Sequence, residues 1–272
     1  FMHETIDEFF KYVKEEKINL PELDEIQIQE IVSKIIDENL NLSKNYIFTA
    51  TAKYKILVKR LKKIVSQALK YIIETLIYSD FNVEGTEIEF DKKGKYKPII
   101  LELEDGKRVE IKGKIDRIDT ATSDDGKYLR IIDYKNIDLN EVYAGLQIQL
   151  LTYMDAVCKE EDLMPAGVFY FSLLEQMIKA DKKVSEEEIE DMIRKNFKMK
   201  GLIVADVKII KMNDNTLESG SSKMVPAAIT KAGTVRHDWT NGVEKEEFKI
   251  LQDYIYKTIK DIAKEILKGR ID

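Results

Sequence analysis

The chain lacks several sequence features that are typical of particular protein classes. It contains one cysteine, Cys158, among 272 residues, which excludes an internal disulfide framework and suits a cytosolic protein. No apolar run approaches the length of a membrane span, and we expect no signal peptide. No GxxxxGK[ST] loop occurs, which argues against a nucleotide-hydrolysing motor. The formal net charge of −6 means that any contact with nucleic acid must use a local basic patch or a partner.

Hydrophobic periodicity gives a coarse order of elements. Helical spacing predicts helices over 1–13, 25–38, 54–78 and 244–267, and shorter alternating or apolar runs predict strands at 82–90, 98–103, 165–173 and 201–212. With 44% hydrophobic residues, the chain is long enough for one large domain. We predict a single domain over 1–272, with an N-terminal helical part (1–80), a sheet-and-helix part (81–175) and a C-terminal extension with a closing helix (176–272).

Two further predicted strands bring charged side chains together. From residue 109 onwards apolar and charged residues alternate, so Asp116 ends a polar face. The run 129–135 is almost wholly apolar until Asp133 and Lys135, which are two residues apart and point the same way. Turn formers fill 120–127, so a β-hairpin is expected. That hairpin would bring Asp116 close to Asp133.

Asp116, Asp133 and Lys135 suit metal-assisted hydrolysis of a phosphodiester. Two carboxylates are hard oxygen ligands for Mg²⁺, which lowers the pKa of a bound water and offsets charge developing on the phosphate. A neighbouring lysine can orient the water and stabilise the transition state. A second interpretation stays open, in which Asp133 and Lys135 belong to a structural ion-pair network. Spacing alone does not decide, because the pattern is short.

A helix predicted over 139–158 carries polar residues on an otherwise apolar face. Gln149 and Tyr153 are one turn apart there. A buried glutamine needs partners for its amide, so a structural hydrogen bond and a role in a site are both open. Gln147 is a weaker alternative for the same role.

The first half of the helix predicted over 54–78 is strongly basic. Its cations, counted from just before the helix, are Lys53, Lys55, Lys59, Arg60, Lys62 and Lys63. Such a run is usually a solvated helix face. It is also the best candidate in this chain for contacting a DNA backbone, since phosphate contacts need only cations on one side.

Several segments, in order along the chain, resemble one nuclease family. The motif residues are Gly113, Ile115, Asp116, Asp133, Tyr134, Lys135, Gln149 and Tyr153. They resemble the core of RecB-type PD-(D/E)XK nucleases. The segments 142–156, 165–171 and 197–202 extend the likeness to the C-terminal nuclease domain of the AddB family, one of the two chains of the bacterial AddAB (RexAB) helicase-nucleases. The likeness covers essentially the whole chain but only one domain of the AddB proteins. We therefore expect this chain to be a fragment of a larger protein.

The resemblance implies a fold and a metal site. The fold is α/β and restriction-endonuclease-like, with a mixed central sheet flanked by helices and with N-terminal helices. Asp116 and Asp133 would hold Mg²⁺, or Mn²⁺, with the backbone carbonyl of Tyr134 and the His3 side chain as further ligands. From the residues alone, His3 is instead a solvated or capping side chain. The glycine that precedes this histidine in the family would lie before Phe1.

The resemblance also implies an activity and partners. Lys135 would orient the attacking water, and Gln149 and Tyr153 would line the groove that positions the DNA strand. The expected activity is that of a metal-dependent exonuclease on single-stranded DNA ends, degrading the 5′-ended strand while a helicase A subunit unwinds the duplex. That work belongs to double-strand-break repair by recombination in the bacterial cytoplasm.

One feature departs from the family. AddB proteins hold a 4Fe-4S cluster through four cysteines, whereas Cys158 is in the wrong place to be any of them, so no cluster is expected in this fragment. A different class of function also stays open, namely a catalytically silent scaffold that binds DNA or another protein of the complex. The presence of Asp116, Asp133 and Lys135 argues against a silent scaffold, because a degenerate site commonly loses one of these residues.

Overall fold

The computed structural model describes residues 1–42, 52–135, 149–174 and 184–270. The chain divides into two compact units. One, here the helical unit, comprises Phe1–Ser79 and Ser172–Lys198; the other, the sheet unit, comprises Asp80–Phe171 and Met199–Asp272. Within the described ranges, no helix combines the length and the apolar character that crossing a membrane would require.

Helices and strands are numbered here in chain order. The helices are α1 (Met2–Glu15), α2 (Glu25–Leu42), α3 (Ala52–Ile77), α4 (Gln149–Glu161), α5 (Glu186–Phe197), α6 (Val207–Asn213) and α7 (Lys245–Leu267). The strands are β1 (Asn82–Phe90), β2 (Ile99–Glu102), β3 (Arg108–Ile111), β4 (Gly113–Ser123), β5 (Gly126–Asp133), β6 (Met164–Tyr170), β7 (Lys200–Val204), β8 (Gly220–Ser221), β9 (Ala228–Ile229) and β10 (Gly242–Val243).

The helical unit buries the apolar faces that the periodicity predicted. A short 3-10 turn at Leu20–Glu22 separates α1 from α2, where the sequence predicted a break. Residues with no exposed surface come from all three N-terminal helices, among them Phe9, Val32 and Leu69. The α5 helix opens with a capping box, in which the Ser185 hydroxyl accepts from the Glu188 amide.

The sheet unit is built on a mixed six-stranded sheet with the order β1-β4-β5-β6-β7-β10. The pairs β1/β4, β4/β5 and β6/β7 are antiparallel, whereas β5/β6 and β7/β10 are parallel. The second half of the central strand β5 is apolar on both faces apart from Arg130, and its Leu129, Ile131 and Ile132 have no exposed surface. This mixed sheet with its helices confirms the predicted α/β class.

Three details of the predicted strands are wrong. The alternating run that ends at Asp116 is not one strand, because it breaks at Lys112; β3 pairs with β2 in a separate sheet, and β4 starts at Gly113. The β4–β5 turn is shorter than expected, since β4 continues to Ser123 and β5 begins at Gly126. The strand predicted over 201–212 ends at Val204, and α6 follows it.

Candidate active site

The β4–β5 hairpin fixes the relative position of the two aspartates. The strands pair antiparallel with Arg117 opposite Ile132, so the next step of the register places Asp116 opposite Asp133. Directly opposed residues on antiparallel strands share a face of the sheet. The Tyr134 amide donates to Asp116 Oδ2 at 2.7 Å, which ties the two chain segments together at this point. The strand register thus places the two aspartates opposite each other, as the predicted hairpin implies.

Asp133 and Lys135 line one cavity, as their spacing predicted. The cavity has a volume of about 530 Å³, and Gln149, Tyr153 and Tyr170 also line it. Asp116 is not among the lining residues and is only 9% exposed. One wall is therefore formed by the end of β5, whereas Asp116 is buried.

The α4 helix supplies the polar pair that the sequence singled out. Gln149 Nε2 donates to the Tyr153 hydroxyl at 3.2 Å, one helical turn along. The Tyr153 ring is stacked on Phe90 with centroids 4.7 Å apart and planes at 12°. Residues 139–148 of the predicted helix, and with them Gln147, lie outside the described residues.

Gly113 makes room for this tyrosine. A Cβ atom at residue 113 would lie 1.7 Å from the Tyr153 hydroxyl oxygen and 2.9 Å from its Cζ. Since Tyr153 is 2% exposed and stacked on Phe90, its ring has little space in which to retreat. The glycine at the start of β4 is thus explained by a close approach of a site side chain to the backbone.

Two tyrosines beside Asp133 stay protonated. Burial raises the pKa of the Tyr153 phenol, with Asp133 acting in the same direction and the Gln149 hydrogen bond opposing it. Burial and the Asp133 charge likewise raise the pKa of Tyr170. Both hydroxyls are therefore neutral near pH 7 and can donate hydrogen bonds into the cavity. The sequence analysis missed Tyr170, because it lies on β6, which was predicted only as an apolar strand.

A buried ionic cluster supports the hairpin from within. Asp119 Oδ2 accepts from Arg117 Nη2 at 3.0 Å and from Arg130 Nε at 2.8 Å. Arg117 Nε and Asp119 Oδ1 are also 2.9 Å apart, as an ion pair without hydrogen-bond alignment. Arg117 Nη1 donates to the Tyr134 hydroxyl. All three charged side chains are at most 1% exposed, so this cluster holds in place the strand segments that carry Asp116 and Tyr134.

Tyr134 points away from the cavity that its neighbours line. Its ring makes an edge-on contact with Phe171, and burial raises the pKa of its phenol to about 12, with Arg117 lowering and Asp119 raising it. The side chain is therefore structural, and any contribution of Tyr134 to a metal is left to its backbone.

Glu87 is a candidate that the sequence analysis missed. It lies on β1, where the register Thr86–Arg117 and Ile88–Ile115 places it opposite Asp116. A carboxylate oxygen of Glu87 lies within 4.8 Å of one of Asp116. Glu87 also pairs with Lys114 and has a φ of 51°, an unusual value for a non-glycine residue in a strand.

No local signal in the sequence could reveal Glu87, because β1 meets β4 across a separation of about 30 residues that no turn fixes. Within the sheet unit, the site therefore offers a carboxylate of Glu87 beside that of Asp116. Its acidic oxygens match the hard ligands that a divalent cation such as Mg²⁺ prefers. The donor set present thus fits a divalent metal ion.

His3 is half-buried in the first turn of α1. It belongs to the helical unit, whereas the two aspartates belong to the sheet unit. Its assignment as a metal ligand remains a prediction.

Comparison with known proteins shows the family to which the chain belongs. The family model described as the PD-(D/E)XK nuclease superfamily matches residues 1–272, the whole chain. The chain belongs to the PD-(D/E)XK nuclease superfamily. Nucleases of this superfamily generally depend on a divalent metal ion, in agreement with the donor set at the β4–β5 hairpin.

Curated relatives show which proteins the chain is similar to. The chain is 38% identical over 281 residues to the B subunit of the ATP-dependent helicase/deoxyribonuclease of Acetivibrio thermocellus, in a match that covers 100% of the chain and 24% of that relative. Identity to the protein of the same name is 39% over 281 residues in Ruminiclostridium cellulolyticum and 36% over 283 residues in Clostridioides difficile, with the same coverage. The chain therefore spans about a quarter of the length of the relatives it matches.

Proposed function

We propose that this chain is a metal-dependent deoxyribonuclease domain that hydrolyses DNA phosphodiesters with Mg²⁺, which Mn²⁺ can replace. The observation that carries the proposal is the hairpin geometry, in which Asp116 lies opposite Asp133 while Asp133 and Lys135 line one cavity. Membership of a nuclease superfamily supports it.

In this proposal Asp116 and Asp133 hold the metal ion. The Tyr134 carbonyl, Glu87 and His3 complete the ligand set. When bound, the ion lowers the pKa of a coordinated water and offsets negative charge developing on the phosphate.

The remaining site residues act on the water and on the strand. Lys135 is exposed at the mouth of the site, where its ammonium orients the attacking water and stabilises charge on the phosphate oxygens. Gln149 and Tyr153 hydrogen-bond to each other and keep donors directed at the strand backbone. The stacking of Tyr153 on Phe90 restrains its hydroxyl, and this restraint lowers the entropic cost of positioning the substrate.

The names of the relatives support a wider setting. Proteins named as the B subunit of an ATP-dependent helicase/deoxyribonuclease match the chain over its full length. We place the chain as the nuclease domain of such a protein in the bacterial cytoplasm. There it works with a helicase A subunit, degrading the 5′-ended strand of single-stranded ends during double-strand-break repair by homologous recombination.

The test is a cleavage assay with single-stranded DNA labelled at either end. With Mg²⁺ the chain is expected to give short products, and the label shows which end is attacked. EDTA and Lys135→Ala should each abolish cleavage, whereas Lys231→Ala, a matched change at an exposed loop residue, should not. Equal cleavage by wild type and Lys135→Ala would reject the assignment, and binding without cleavage would favour the silent scaffold.

A further inference from the structure

A dense block of positive charge occupies the first half of α3. Among the described residues, the exposed cations on this half are Lys53, Lys55, Lys59, Arg60 and Lys63. No aspartate or glutamate occurs from residue 52 to residue 73. In a chain with a formal net charge of −6, such a segregated basic surface creates a local positive potential against the overall field.

This basic surface borders a cavity rather than a flat helix face. A cavity of about 530 Å³ lies between α2 and α3, with Gln29 and Ser33 on one side and Lys59, Arg60 and Lys63 on the other. Of the described residues that line it, none is acidic.

One further lysine of the cavity joins the two helices. The half-buried Lys62 contacts both carboxylate oxygens of Asp37 on α2, at 2.6 and 2.7 Å. This ion pair lies at the edge of the cavity and neutralises the charge of Lys62. Lys59, Arg60 and Lys63 are the other cationic residues that line the cavity.

We propose that this cavity, the α2–α3 groove, binds the sugar–phosphate backbone of single-stranded DNA. Cations on one wall and neutral hydrogen-bonding side chains on the other match a chain of phosphates, which needs charge and donors but no base-specific contact. Ile56, which also lines the cavity, is 68% exposed and provides apolar surface for sugars and bases.

The size of the groove favours a single strand. Its volume is in the range of sites for small ligands, about 300–1,000 Å³, so it admits a few nucleotides of one strand rather than a duplex. The choice of DNA as the polyanion rests on the proposed function, whereas the groove and its charge do not.

The inference is tested by binding without cleavage. A fluorescent single-stranded oligonucleotide is titrated with the whole chain in EDTA at several salt concentrations, and anisotropy reports the affinity. The variant is Lys59→Ala with Lys63→Ala; Lys62 is left intact so that its ion pair with Asp37 survives. The matched control is Lys249→Ala with Lys257→Ala, two exposed lysines of α7 with the same change in charge.

Each lost phosphate contact on a single strand removes about 0.7 from the slope of log K against log salt. The groove variant should therefore show a slope shallower by about 1.4 and, at about 0.1 M salt, an affinity about 25-fold weaker. The control should match wild type. A groove variant that binds like the control, with wild-type circular dichroism, would overturn the inference.

The outcome separates the groove from the proposed catalytic site. If wild type cleaves DNA and the groove variant binds normally, the groove fails and the nuclease stands. If the groove variant loses binding in EDTA while wild type never cleaves with Mg²⁺, the groove stands and the nuclease fails.

Discussion

Asp119 is predicted to be the electrostatic centre of the hairpin that carries the site. It has no exposed surface and accepts hydrogen bonds from Arg117 and Arg130. The substitution Asp119→Asn preserves the shape of the side chain but removes its charge. Two guanidinium groups then remain buried without their counter-ion. Breaking a buried ion pair in this way costs about 3–5 kcal/mol.

That cost is a large part of the roughly 5–15 kcal/mol by which domains are typically stable. For a domain of this size class, about 1 kcal/mol corresponds to roughly 2–4 °C in melting temperature, so a decrease of about 6–20 °C is expected. The assay is thermal and urea denaturation followed by circular dichroism. The control is Asp124→Asn at the turn of the same hairpin, where an 87% exposed carboxylate pairs with Lys208 and its loss should change little.

The reasoning would be refuted if Asp119→Asn melted together with the Asp124→Asn control. A smaller decrease with retained cooperativity would mean that water or a shifted arginine compensates the charge. A decrease in the predicted range would show that the sheet depends on this buried cluster, as its burial requires.

Three further predictions follow from single contacts. Gly113→Ala should lower stability by about 1–3 kcal/mol through overpacking against Tyr153 and should weaken cleavage, measured by urea denaturation and by the end-label assay. Burial raises the pKa of the Cys158 thiol to about 12. The stability that the protonated thiol contributes is therefore complete below its pKa in the unfolded chain, about 9, and is lost as the pH rises towards about 12. Ellman's reagent at about pH 8 should react slowly with Cys158 unless urea is added. Glu87→Gln should weaken Mn²⁺ binding by about tenfold or more, whereas the exposed Glu89→Gln should not.

The parts of the site that could be predicted are those in which residues close in sequence become neighbours in space. Asp133 and Lys135 follow from a two-residue period, and the short turn between β4 and β5 sets the register that brings Asp116 opposite Asp133. Gln149 and Tyr153 follow equally from helical spacing, and their hydrogen bond is a local one.

The errors arose where non-local packing or an ambiguous pattern decided the structure. Glu87 joins the site only because β1 pairs with β4, a contact that no turn specifies. The apolar run beyond Val204 was assigned to a strand, but short apolar runs do not distinguish a strand from a buried helix. Asp206 was the overlooked signal, since its side chain accepts from the Lys208 and Ile209 amides and caps α6.

The central claim is that Asp116 and Asp133 form a metal site, and Mn²⁺ binding tests it most directly because it does not depend on a partner protein. Mn²⁺ is titrated into wild type, Asp133→Asn and Asp125→Asn by calorimetry, the last being an exposed aspartate of the hairpin turn. The account predicts that Asp133→Asn binds at least about tenfold more weakly than wild type and that Asp125→Asn binds like wild type. Equal Mn²⁺ affinity in wild type and Asp133→Asn would contradict the account.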